Sequence, residues 1–149
     1  MPLDDLKELA GRVLEDRYQL IDYRGRSQVA VDYGANDLET GDQVKVKIFG
    51  ASISTDIEFS RSLISDVTTA ASVIHPSVER VRNWGRFQKS AYVVTDQITG
   101  ITLKKFLDSG KVLNAAQTLK LGIELASGLK EIHFQGLRHG DISVSYTHL

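Results

Sequence analysis

Cysteine is absent from the 149 residues, which excludes disulfide frameworks, thiolate metal centres and thiol nucleophiles and agrees with a reducing compartment. No run of about 18 apolar residues occurs, and the opening stretch to Tyr18 is acidic and amphipathic where a secretory leader is basic and then apolar. A cytoplasmic chain without a membrane segment is therefore expected. Charge of one sign is lacking too: 18 basic and 19 acidic residues give a net charge of -1 with no like-charge block. That balance lacks the electrostatic footprint of nucleic-acid or membrane-surface binding, so no nucleic-acid partner is expected. Internal repeats and low-complexity segments are also missing. What remains, 42% hydrophobic and 25% charged, is an ordinary globular composition, long enough for one core and too short for two.

Leu3, Leu6, Leu9 or Ala10, and Val13 recur at helical spacing and predict a leader helix over residues 1–15. Strands are predicted at 17–23, 28–33 and 43–49, the last two joined through Asp37-Leu-Glu-Thr-Gly41, in an antiparallel meander. In the third strand Val44, Val46 and Ile48 alternate with Lys45, Lys47 and Phe49, so one face is apolar and both lysines share the other. Thr55-Asp-Ile-Glu58 has the form of a capping box and opens a helix that carries Phe59, Leu63, Val67, Ala70 and Ile74 to a stop at His75-Pro76. Residues 78–84 and 91–95 read as two more strands, connected around Gly85 and Lys89. Beyond Gly100 the chain turns helical, with a short piece at Leu103, Phe106 and Leu107. A longer helix runs from Asn114-Ala-Ala-Gln117 towards Phe134; it is apolar on several sides and is expected to be buried.

The order of these pieces resembles the amino-terminal lobe of a protein kinase. Val44-Lys-Val-Lys-Ile48 followed by a capped helix ending in His75-Pro76 is similar to the family's lysine strand and helix. Tyr92-Val-Val-Thr-Asp96 resembles the strand entering the hinge, Gly100-Ile-Thr-Leu103 the start of the next helix, and His139-Gly-Asp141 the H-R-D catalytic loop. The resemblance spans residues 16–143 and points to bacterial-type serine/threonine protein kinases. It implies an α+β fold: a five-stranded antiparallel sheet with one main helix over 16–95, then a hinge and the first helices of a truncated helical lobe over 96–143. Residues 144–149 fit nothing expected after H-x-D and read as a non-native tail.

Through that resemblance Lys47 is the lysine placed on nucleotide phosphates and Asp141 the aspartate that orients the substrate hydroxyl and accepts its proton. Asp66 stands where a helix carboxylate would hold the lysine. The implied cofactor is ATP with magnesium; its contacting positions are Gly25, Ser27 and Ala30 of the loop, Lys47, Asp66, and Thr95 and Asp96 at the hinge end. No metal ligand is assigned. Departures gather in these parts. The pattern G-x-G-x-x-G falls on residues 25–30 and keeps its first glycine alone, Asp32 replaces a valine, Lys45 replaces an alanine, and Asp66 is a methylene shorter than the family's glutamate. Weak or absent nucleotide binding is the expectation. Three readings follow: a serine/threonine kinase fragment, inactive as it stands; a pseudokinase acting as a regulatory or binding module; or an unrelated α+β binding domain. The H-G-D triplet also resembles small-molecule phosphotransferases. A protein substrate or regulatory partner cannot be read from these residues.

Overall fold

The computed structural model describes residues 3–140 and 142–143. Its strands are β1 Val13–Leu14, β2 Tyr18–Arg26, β3 Ala30–Asp37, β4 Gln43–Phe49, β5 Val81–Phe87 and β6 Ser90–Asp96; its helices are α1 Ala51–Ser54, α2 Ile57–Ala71, α3 Leu103–Asp108 and α4 Ala115–Phe134. The strands form one antiparallel sheet in the order β1-β2-β3-β4-β6-β5, confirming the α+β class. The sixth strand is the two-residue β1, which the expected five-stranded sheet did not include.

β4 has the predicted bounds, and its alternation is strict. Val44, Val46 and Ile48 have no solvent exposure, while Lys45, Lys47 and Phe49 are half-buried on the opposite face. β3 follows the same rule: Val31, Tyr33 and Ala35 join the core and Asp32 lies on the lysine face. Phe49, on that second face, meets Phe59 of α2 edge to face at 5.8 Å, so α2 covers the side of the sheet that carries Lys47.

The leader differs from expectation. In place of a helix over 1–15 there is one 3₁₀ turn, Asp5–Glu8, and then β1. Backbone partners explain the difference. The Gly11 N–H donates to Leu20 O at 2.8 Å and the Leu20 N–H to Arg12 O at 2.8 Å, so sheet pairing takes the groups that a continuing helix would use. Leu6 and Leu9 still enter the core, held by the Tyr33 hydroxyl, which donates to Leu6 O at 2.7 Å and accepts from the Leu9 N–H at 3.1 Å. Burial raises the Tyr33 phenol pKa.

The long helix also starts differently. Asp56, not Thr55, accepts the Phe59 N–H at 2.8 Å, while Thr55 Oγ1 donates to Ala51 O and closes α1. α2 ends at Ala71, before His75-Pro76, because the Ser72 N–H and hydroxyl both turn back to Thr69 O. Gly85 lies inside β5, so the β5–β6 connection is Gln88-Lys89 rather than a loop around Gly85.

Two compact units result: the chain up to Ser72 together with Arg80–Gln97, and Val73–Glu79 with the chain from Ile98. In the second unit Asn114 and Gln117 cap α4 reciprocally, at 2.9 and 3.0 Å, as the sequence predicts. His75 Nδ1 accepts the Ser77 N–H, leaving Nε2 to donate to Ser127 Oγ at 3.0 Å, and Gly128 packs against Val78. These contacts make His75-Pro76 part of the α4 unit. α4 is apolar on several sides, yet Gly128 is its one buried residue among those described, and Leu119 and Ile123 are exposed.

Arg17 forks onto Asp37 at 2.8 and 2.9 Å, tying the end of β3 to the start of β2 and holding the almost fully buried Asp37 carboxyl below its usual pKa. A depressed folded pKa contributes stability that is complete above the unfolded value of about 3.9 and is lost as pH falls through the folded value. Asp37→Asn should therefore lower stability at neutral pH and flatten its loss in acid, measured as urea midpoints between pH 2 and 7. Tyr33→Phe should cost about 1–3 kcal/mol by the same assay, since Leu6 O and the Leu9 N–H lose a buried partner.

Candidate functional site

The face opposite the core carries Lys47 and Asp32. Antiparallel register sets Asp32 directly across from Lys47, and Gly25 across from Asp32 on the other side. Cross-strand partners share a face, so the acid and the base meet: Lys47 Nζ lies 2.9 Å from Asp32 Oδ1. That oxygen is shut off from solvent and has no aligned hydrogen bond, so the lysine ammonium is its compensation. Asp66 is elsewhere. It is exposed on α2 and accepts from Ser62 Oγ at 3.3 Å, and no ion pair joins it to Lys47 among the described residues.

The loop between β2 and β3 closes as a tight hairpin in which the Ser27 N–H donates to Ala30 O at 2.9 Å. Gly25 sits in a β-bulge at φ +148°, a conformation that side chains rarely adopt, which accounts for this glycine being kept where the next two of the pattern are replaced. Ser27 changes what the loop offers. Its Oγ accepts the Val29 N–H at 3.3 Å and the Ala30 N–H at 3.1 Å, so two amides of the loop are satisfied locally.

Arg24 was not legible as a site residue. Its guanidinium donates to Asp22 at 2.9 Å and reaches across the sheet to Gln97 Oε1 at 2.7 Å. The space comes from Gly34, where a Cβ would collide with both the Arg24 guanidinium and the Asp22 carboxylate. Because Gly34 has the parity of Asp32, this polar group lies on the lysine face. Gly34 is moreover the β3 partner of Lys45, whose partner in β6 is Thr95. At the hinge end, Asp96 Oδ1 accepts from Arg82 Nε and the Asp96 N–H donates to Arg80 O at 3.0 Å. Arg82 also binds Asp42 at 2.6 Å and lowers its pKa. Asp141 lies outside the described residues.

Of the expected positions, the structure places Gly25 and Lys47 on either side of Asp32 in the sheet. It leaves Asp66 apart and engages Asp96 with Arg82. A triphosphate requires free backbone amides and an available cation. The donor set here does not fit one as it stands, since Ser27 takes two loop amides and Asp32 takes the lysine.

The family model for protein tyrosine and serine/threonine kinases matches residues 25–145. A probable serine/threonine-protein kinase of Streptomyces coelicolor is 33% identical over 135 residues, 88% of this chain and 20% of that protein. The serine/threonine-protein kinase PrkC of Bacillus subtilis is 26% identical over 134 residues, 90% of this chain and 21% of that one. The chain thus spans about a fifth of the length of these curated relatives. Among solved structures, the kinase domain of Mycobacterium tuberculosis PknI superposes with a TM-score of 0.80 at 24% identity, over 95% of this chain and 58% of that one, a likeness of fold.

Ser27→Gly should free the two loop amides without disturbing the hairpin. Hydrogen exchange at Val29 and Ala30 is expected to accelerate by an order of magnitude while Val44 and Val46 stay protected, because the lost partner is local.

Proposed function

Since the chain belongs to the protein tyrosine and serine/threonine kinase family, we propose that it is the nucleotide-side lobe and catalytic-loop approach of a bacterial-type serine/threonine kinase relative whose own nucleotide handling is reduced, a pseudokinase that works through protein contacts in the cytoplasm. The family transfers a phosphoryl group from ATP with magnesium, chemistry that depends on positioning and charge stabilisation more than on covalent help. In this reading Lys47 is the phosphate lysine, Asp141 the aspartate for the acceptor hydroxyl, and Gly25, Ser27, Ala30, Asp66, Thr95 and Asp96 the inherited cofactor positions. The observation that carries it is the Lys47–Asp32 pair at 2.9 Å, which engages the lysine inside the sheet instead of leaving it to a helix carboxylate. Among the described residues no helix is long and apolar enough to cross a membrane.

A competent kinase lobe is the competing reading, and thermal denaturation separates the two. A ligand at about one hundred times its Kd stabilises the native state by about 2.7 kcal/mol, which is several degrees in Tm for a chain of this size. No shift is expected with millimolar ATP and magnesium. A rise that grows with ATP concentration would overturn the reading.

A further inference from the structure

One feature of the lysine face and one of the β2–β3 loop stand in the same relation to a phosphate. The Asp32 carboxylate is an anionic oxygen pair on a lysine, fixed by register opposite Lys47 and shielded at Oδ1. The Ser27 hydroxyl is an acceptor on two loop amides, Val29 N–H and Ala30 N–H. A bound phosphate would present oxygen acceptors to these same kinds of donor. The neighbouring positions are also internally compensated, for Arg24 is held by Asp22 and by Gln97 over the glycine at 34. Gly25, across from Asp32, contributes no side chain at that position to compete with the carboxylate for the lysine. The scaffold itself is intact: β2 and β3 still form the hairpin, and the lysine still stands on the side of the sheet that α2 covers.

We propose that the phosphate positions of this lobe are filled by its own side chains, with Asp32 on the lysine and Ser27 on the loop amides, so that the site is locked rather than lost. The inference rests on the reduced-nucleotide reading above and deepens it by naming the residues that cause the reduction. Ligand exclusion is then local and reversible. Removing the carboxylate frees Lys47 and removes its repulsion of an incoming anion, and removing the hydroxyl frees the amides. Lys47 is the residue through which the gain must pass.

The test is calorimetric titration of the full chain with ATP, with and without magnesium, for the parent, Asp32→Asn, Asp32→Val, Ser27→Gly, and each Asp32 variant combined with Ser27→Gly. Each combined variant is repeated with Lys47→Met added. Binding at least tenfold tighter than the parent in a combined variant, cancelled by Lys47→Met, is expected. Combined variants that melt cooperatively and bind no better than the parent would overturn the lock while leaving the pseudokinase reading intact. A gain that survives Lys47→Met would overturn it as well, because the lysine would not be what was freed. Loss of the cooperative transition in both Asp32 variants would make Asp32 a residue of the fold and would equally refute the proposal. Tight binding by the parent would instead remove the reading on which the proposal rests.

Discussion

Everything on the lysine face follows from the other side of β4. Val44, Val46 and Ile48 are completely withdrawn from water, and each such burial is worth roughly 1.5–3 kcal/mol, so the register of this strand is fixed by its apolar half. With a side-chain period of two, a slip by one residue would exchange three aliphatic groups for two lysines and an aromatic. The neighbouring strand is bound by the same condition through Val31 and Tyr33. Both alternations put Asp32 and Lys47 on the same side of the sheet, and the observed β3–β4 register sets them opposite each other. The core therefore dictates which face these charges share.

That arrangement separates what holds the lobe together from what decides its chemistry. A partly exposed ion pair contributes about 0.2–1 kcal/mol, small beside the aliphatic burial behind it. Its effect on a ligand is larger in kind. A free lysine beside free amides attracts phosphate, whereas a lysine matched by a carboxylate and amides matched by a hydroxyl present little net charge. Arg24, Asp22 and Gln97 extend the same compensation along this face, and at the end of β6 Arg82 engages Asp42 and Asp96, the latter with the parity of Val44. Beside the apolar Phe49 and Val93, the charged groups Lys47, Asp32, Arg24 and Asp22 of this face are directed at one another.

The sequence made the lysine face legible because alternation in β4 is a local property. The Asn114–Gln117 cap was legible for the same reason, both partners lying within one turn. The leader was misjudged because its leucine spacing suits a helix, while the deciding bonds, to Leu20 and to Tyr33, come from other strands. At the start of α2 two adjacent residues could cap, and the T-x-x-E form points to Thr55 although aspartate is the stronger N-cap and Asp56 takes the role. The Lys47–Asp66 pair was an inference from family position; the partner actually met depends on the β3–β4 register, which no local pattern states. Arg24 was invisible for a plainer reason: its partner Gln97 is 73 residues away, and the gap it fills is the missing side chain of Gly34.

Lys47 belongs electrostatically to Asp32 and not to Asp66, and the chemistry of this face turns on that pairing. Double-mutant cycles on folding stability measure it most directly, pairing Lys47→Met with Asp32→Asn and, separately, with Asp66→Asn at low and high salt. The account predicts a coupling of about 0.2–1 kcal/mol for Lys47 with Asp32, weakened by salt, and none for Lys47 with Asp66. Additive effects with Asp32 together with coupling to Asp66 would contradict it.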